Sequence, residues 1–123
     1  MTPLILASGS SIRADLLRRS NVPFETTLPK VDEDAIKQSL IAEGAPPRDI
    51  ADALAEAKAR KVAGRFPDRM VLGCDQVLDF EGRILSKPES PEDALTQLTD
   101  MRGKRHMLLS AAVIHEDGKP VWR

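Results

Sequence analysis

A short apolar run, Leu4-Ile5-Leu6-Ala7, passes directly into Ser8-Gly9-Ser10-Ser11-Ile12-Arg13 and then into Ala14-Asp15-Leu16-Leu17-Arg18-Arg19. The first segment reads as a buried strand and the last as a helix, so the chain declares an α/β architecture from its outset. The turn between them is suited to hold an anion. Serine hydroxyls and free backbone N–H groups converge at a helix N-terminus, where the dipole favours negative charge. Arg13, one turn into the helix, adds a forked pair of donors matched to phosphate. The plainer reading of the same residues is that Ser10 or Ser11 serves only as an N-cap.

At 123 residues the chain is one domain, or part of one, with enough length for a hydrophobic core. A hydrophobic content of 41% beside 30% charged residues argues against disorder. Eighteen basic and nineteen acidic residues nearly cancel, so no global field recruits nucleic acid or an anionic membrane. Any anion site must therefore be local. Cys74 is the single cysteine, which excludes an internal disulfide and a cysteine zinc cluster. The apolar runs are too short to span a bilayer. Met1-Thr2-Pro3 leads into the first strand without the basic and apolar regions of a signal peptide, so a cytoplasmic location is expected.

Strands and helices alternate along the chain. A first strand over about residues 3–7 precedes a helix ending near Arg19, and Val22 to Pro29 reads as extended. Asp32-Glu33-Asp34 opens a helix through Ile41, and Pro47 begins a longer one running to about Gly64. Ile50, Leu54, Ala57, Lys58, Lys61 and Val62 fall near one another on that helix. Arg69 to Cys74 reads as a second buried strand ending at Asp75, and Val77 to Leu85 as a hairpin turning at Gly82. Ser90-Pro91-Glu92-Asp93 is the clearest helix start, with that helix ending near Gly103. Two strands, over residues 105–115 and 119–122, are joined by a turn at Glu116-Asp117-Gly118-Lys119. Parallel and antiparallel strands mixed with helices predict an α/β fold with a mixed, twisted sheet flanked by helices.

Beyond the serine turn, three features could carry chemistry. Asp32-Glu33-Asp34 reads on its own as a solvated helix start. Asp75 sits at the end of an apolar strand beside Gly73, where carboxylates bind metal or act as a base because α/β sheets place ligands at their carboxyl ends. Lys87-Pro88 follows the hairpin, and Lys58 shares a helical side with Leu54. For Lys58, snorkelling over the core and a buried phosphate ligand are both open.

Together these residues resemble the Maf family of nucleoside triphosphate pyrophosphatases. Ser8-x-Ser10-x-x-Arg13 followed by Leu16-Leu17 is similar to its opening motif, and Val31-Asp32-Glu33 to its acidic motif. Leu54-Ala55-x-x-Lys58-Ala59 resembles its helix lysine, and Gly73-x-Asp75-Gln76-Val77 its catalytic aspartate motif. Gly82-x-Ile84-Leu85-x-Lys87-Pro88 follows at the expected distance. Gly103-x-x-His106 resembles the next element, with Leu108 and Ser110 where valine and threonine are commoner. The motifs occur in family order across most of the chain.

The resemblance implies a fold like that of Maf and inosine triphosphate pyrophosphatase proteins, as a single Maf-like domain. Family members usually continue well past Arg123, so the C-terminal part of the fold is expected to be missing, and this short form could be inactive. The implied reaction cleaves the α–β bond of a nucleoside triphosphate to the monophosphate and pyrophosphate. It assigns Ser8, Ser10, Arg13, Lys58 and Lys87 to the phosphate chain. Glu33 and Asp75 would hold Mg²⁺ (or Mn²⁺), a hard cation that prefers oxygen ligands, with Asp75 also accepting a proton from the attacking water. The implied partners are a nucleoside triphosphate and, since family members are often dimeric, a second copy of the chain; neither nucleic acid nor a membrane is implied.

Subfamily depends on departures from the commonest pattern. Many Maf proteins carry Arg-Arg in the first motif and Asp-Thr in the aspartate motif, and resemble dTTP/UTP pyrophosphatases. Here Ile12 precedes Arg13, Gln76 follows Asp75, and Ser11 replaces the usual proline. The Asp-Gln pair looks like the branch acting on 7-methyl-GTP. That branch typically has tryptophan at the Ile12 position, and isoleucine cannot stack on a base as tryptophan does. Gln76 read structurally is an amide that satisfies a loop. The remaining alternatives are a dTTP/UTP pyrophosphatase and a non-catalytic nucleotide-binding regulator, since the family name is tied to septum formation. No P-loop stretch exists, and Cys74 with His106 or His115 makes a weak case for a cysteine hydrolase.

Overall fold

Two parallel pairings of β1 (Leu4–Ala7), with β2 (Phe24–Thr27) on one side and β3 (Val71–Phe80) on the other, organise the fold. The computed structural model describes residues 2–123, so Met1, the first residue of the segment read above as carrying no leader, lies outside it. Between these strands run α1 (Ser11–Arg19), α2 (Glu33–Ala42) and α3 (Pro47–Ala63). After β3 come β4 (Arg83–Leu85), α4 (Pro91–Met101), β5 (Met107–Glu116) and β6 (Lys119–Trp122). The described residues form a 6-stranded sheet in the order β2-β1-β3-β5-β6, with β4 beside β3. Pairings of β3 with β4, β3 with β5, and β5 with β6 are antiparallel, so the sheet is mixed as expected.

The local signals act where the sequence places them. Asp32 caps α2 by accepting from the Ala35 N–H at 3.0 Å, and Ser90 caps α4 by accepting from the Asp93 N–H at 3.0 Å. Pro47 occupies the first turn of α3. Both hairpins turn on residue pairs with positive φ, Glu81 (53°) with Gly82 (90°) and Asp117 (53°) with Gly118 (74°). Such pairs twist with the flanking strands.

Three expectations need correction. The predicted strand end at Asp75 does not exist: β3 runs unbroken from Val71 to Phe80 because β5 pairs with it continuously from Val71↔His115 to Asp79↔Met107. β5 starts at Met107 rather than residue 105. On α3 the buried stripe is Ile50, Ala51, Leu54, Ala55, Lys58, Ala59, Val62 and Ala63, which leaves out Ala57 and the exposed Lys61.

The core lies between α3 and one face of the sheet. Ala55, Ala59, Val62 and Ala63 meet Ile5, Ala7, Val71 and Val113, and an adjoining cluster joins Ile50, Ala51 and Leu54 to Val77. Each fully buried Ile or Leu here contributes about 1.5–3 kcal/mol. Ile36 and Leu40 of α2 pack on the second cluster. His115, 1% exposed, ties β5 to α3 through Nε2 and Glu56 Oε1 at 3.1 Å. In contrast α4 buries none of its residues, and Leu95 and Leu98 stay exposed.

Gly73 marks the closest approach of helix to sheet. A Cβ built there would lie 2.4 Å from the Ala55 carbonyl oxygen, 2.7 Å from the Ala59 nitrogen and 2.8 Å from the Ala59 Cβ. Two of these three obstacles are backbone, so no rotamer change relieves them. Gly73→Ala is expected to lower stability by about 3 kcal/mol or more, read as a shift in the urea midpoint. A midpoint unchanged from the parent would show that α3 does not rest on Gly73.

Candidate functional site

The register of β3 creates an opening in the sheet. One edge of β3 is taken by β5 along nearly its whole length. The other edge pairs with β1 only as far as Ala7↔Gly73 and with β4 only from Leu78↔Leu85 onward. Residues 74–77 therefore face a gap between β1 and β4. Alternation along the strand puts Asp75, with Val71, Gly73 and Val77, on the α3 face, and Cys74 and Gln76 on the opposite face.

The serine turn lies at one lip of this gap. Ser10 is the N-cap of α1, its Oγ accepting from the Arg13 N–H at 3.2 Å, so the plain capping reading holds for Ser10, while Ser11 is already helical. Ser8, only 5% exposed, accepts at its Oγ from the Ser10 N–H at 3.0 Å and from Arg13 Nη1 at 3.3 Å. With both acceptor positions occupied, the Ser8 hydroxyl has its proton left to give. The first N–H groups of α1 lack intrahelical acceptors, as at any helix start. Ser8, Gly9, Ser10, Ser11, Ala14, Arg18, Thr26 and Leu28 line a shallow recess at this point. It is a donor-rich concavity whose one lining cation, Arg18, is paired with Asp15. A second recess, at the start of α4, is lined by Glu89, Glu92 and Asp93 and has the wrong charge for a phosphate.

A buried charge cluster forms the floor. Lys58 on α3 places Nζ 2.9 Å from Asp75 Oδ1 and 3.0 Å from Glu33 Oε1. It also donates to the Cys74 carbonyl oxygen at 3.5 Å. The Lys58 and Asp75 side chains are 8% and 9% exposed, whereas Glu33 is half exposed. Of the three consecutive acids, Asp32 caps α2 and Glu33 reaches the cluster, so the segment is more than a solvated helix start. Lys58 is buried and ion-paired rather than snorkelling.

Cys74 reports on this environment from the other face. Burial pushes its thiol pKa up, while the Arg13 and Lys58 charges pull against that shift and Asp75 adds to it. Both cations are thus close to the gap. His115 belongs elsewhere: it stands opposite Val71 in register and faces Glu56 of α3. Burial raises the thiol, and no hydrogen bond joins Cys74 to a histidine among the described residues, so the structure lends the cysteine-hydrolase reading no support.

The remaining predicted residues are dispersed around the opening. Ile12, 73% exposed, stands in the first turn of α1. Gln76 donates from Nε2 to Ser110 Oγ at 2.9 Å, across the Gln76↔Ser110 pair of β3 and β5. Ser110, noted above only for replacing a threonine, is the functional candidate that the sequence alone does not single out. The pairing joins residues 34 apart and carries no local signature. Lys87 is exposed and lies two residues past Leu85, where the chain runs back antiparallel to β3 toward the gap. It makes no ion pair among the described residues, and it is the one predicted site lysine outside the cluster. Glu33 and Asp75 aim hard oxygen donors at one point, which is the donor set that suits a magnesium-type ion. No group of three or more His, Cys, Asp or Glu converges among the described residues, so a metal here would be held by few protein ligands. No helix among these residues is long and apolar enough to cross a membrane.

Residues 3–123 match the family described as Maf-like protein. The chain is 68% identical over 121 residues to a nucleoside triphosphate pyrophosphatase of Ruegeria pomeroyi, covering 98% of this chain and 61% of that relative. It is 60% identical over 121 residues to the protein of that name from Roseobacter denitrificans, covering 98% and 61%. Against the Caulobacter vibrioides protein of that name it is 50% identical over 123 residues, covering 100% and 61%. The chain thus spans about 61% of the length of these curated relatives. A profile match over nearly every residue, identities of this size, and the serine turn, acidic motif, helix lysine and strand aspartate gathered at one gap in a mixed sheet lead to one conclusion: the chain belongs to the Maf-like family.

Proposed function

We propose that this chain carries the phosphate- and metal-binding half of a nucleoside triphosphate pyrophosphatase. The observation that carries the reading is the convergence of a recess rich in hydroxyl and N–H groups at Ser8 and Ser10, with Arg13 on the Ser8 hydroxyl, and a buried Lys58–Asp75 pair joined by Glu33 at one break in the sheet. The names of the relatives support it. A triphosphate carries several negative charges, so its hydrolysis needs cations and donors more than a strong nucleophilic side chain.

In this reading Ser8, Ser10 and the N-terminus of α1 hold phosphate oxygens, and Arg13 spans two of them. Lys58 and Lys87 neutralise the charge that builds on the leaving pyrophosphate. Asp75 accepts a proton from water as the water oxygen bonds to the α-phosphorus and the bridging bond to the β-phosphate breaks. Glu33 and Asp75 are the ligands for Mg²⁺, with Mn²⁺ an equivalent. When bound, the ion supplies charge neutralisation and fixes the phosphate chain. Asp75 and Gln76 project from opposite faces of β3, so a substrate touching both lies across the open edge of the strand. A cytoplasmic setting agrees with such a substrate.

For the base we favour a methylated purine of the 7-methyl-GTP kind. The support is Gln76 beside Asp75, its amide held by Ser110 on the face away from Lys58, and an uncharged, exposed Ile12 in the first turn of α1. An amide so anchored can read the hydrogen-bonding edge of a base. Ile12 offers apolar contact in place of stacking.

Two outcomes are expected. With Mg²⁺ and a panel of 7-methyl-GTP, dTTP, UTP and ITP, pyrophosphate release is expected for 7-methyl-GTP first, and Asp75→Asn reduces it by about 100-fold or more. Near-normal turnover by a folded Asp75→Asn protein would overturn the role given to Asp75, and silence across the panel would overturn the hydrolase reading. Gln76→Thr is expected to cut the preference for 7-methyl-GTP over dTTP by about tenfold. An unchanged ratio of kcat/KM values would remove Gln76 from base selection.

A further inference from the structure

The ammonium of Lys58 occupies the point at which the two proposed metal ligands converge. Its Nζ lies 2.9 Å from Asp75 Oδ1 and 3.0 Å from Glu33 Oε1, so one oxygen of each carboxylate is directed at the ammonium. An ion of the magnesium type sits closer still, about 2.0–2.1 Å from each carboxylate oxygen. The two cations cannot share that position: they overlap, and their charges repel across a buried, weakly screened distance. We propose that Lys58 is an internal stand-in for the metal, holding Glu33 and Asp75 together until a divalent cation displaces it. This deepens the reading above and rests on it for the identity of the ligands.

The surroundings give the displaced ammonium somewhere to go. Lys58 Nζ already reaches the Cys74 carbonyl on the open edge of β3, at 3.5 Å. Beyond that edge lies the recess of Ser8 and Ser10, with Arg13 donating to the Ser8 hydroxyl. A rotation of the flexible side chain carries the charge from the carboxylates to that side, where the triphosphate is expected. The same lysine therefore serves the carboxylates in the metal-free protein and the phosphates in the loaded one. Without it the metal-free site would hold Asp75 buried and Glu33 beside it, two like charges with no cation between them. Metal and nucleotide then bind cooperatively for a reason beyond chelation, since the metal releases the lysine that the nucleotide needs.

The test uses metal alone, with no nucleotide. Mn²⁺ affinity is measured by the loss of the free-ion electron paramagnetic resonance signal, for the parent chain and for Lys58→Met. Removal of the competing ammonium is expected to tighten Mn²⁺ binding by ~10-fold or more, with Mg²⁺ competing for the same site. Equal or weaker binding by Lys58→Met would overturn the proposal. If that variant does not fold, the parent chain answers alone: acetylation of the Lys58 amine, followed by mass spectrometry, is expected to accelerate when Mg²⁺ replaces Na⁺ at equal ionic strength. A Lys58 that labels no faster in Mg²⁺ would overturn the exchange. Neither readout depends on turnover. Pyrophosphate release without exchange would refute this inference and leave the hydrolase reading intact, and exchange without pyrophosphate release would do the reverse.

Discussion

The nearness of α3 to β3 is the constraint on which the other features rest. Gly73 leaves room for the helix backbone, and Ala55 and Ala59 keep the facing surface of the helix small. Alanine and glycine bury little area themselves; what they permit is contact between backbone and sheet. Lys58 precedes Ala59 by one residue and Asp75 follows Gly73 by two, so this contact delivers the ammonium to the carboxylate at 2.9 Å. A larger residue at either surface would lift the helix and pull that pair apart. Helix packing and site geometry are one arrangement here.

Burying a charge is costly, and the cluster shows how the cost is offset. An isolated ammonium as enclosed as Lys58 would lose most of its hydration, and so would Asp75. Each is tolerable because the other is at hydrogen-bond distance, and taking away one member of such a pair costs ~3–5 kcal/mol. That is a large share of the ~5–15 kcal/mol by which a typical domain is stable. Glu33 is different. Half exposed, it is screened by solvent and contributes little to stability, but it brings the start of α2 to the same cation. A cluster that combines a buried pair with a solvent-reaching carboxylate is firm at its base and open at its mouth.

Much of this was legible along the chain because the signals are local. The caps at Asp32 and Ser90, Pro47 at the start of α3, and the turns at Gly82 and Gly118 each follow from a few adjacent residues, and the helices and hairpins formed where they point. The serine turn was legible for the same reason: Ser8, Ser10 and Arg13 bond within a span of six residues. What misled was the polar residue in an apolar run. Asp75 looked like the end of a strand, but nine consecutive partners on β5 carry the ladder through it, and Lys58 compensates its charge. Local propensity yields to pairing when the partner strand is long enough.

From the sequence alone come the alternation of strands and helices, the helix ends, the hairpin turns, the mixed character of the sheet and the family resemblance, because each depends on neighbours in the chain or on residue identity in order. The tertiary structure decided the rest. That β1 and β4 share one edge of β3 and leave residues 74–77 open between them depends on register. That Glu33, Lys58 and Asp75 meet at one point depends on the packing of α2 and α3, and that Gln76 is held by Ser110 depends on pairing between distant strands. Contacts of this kind are set by the simultaneous closure of the whole core, and no window of sequence contains them.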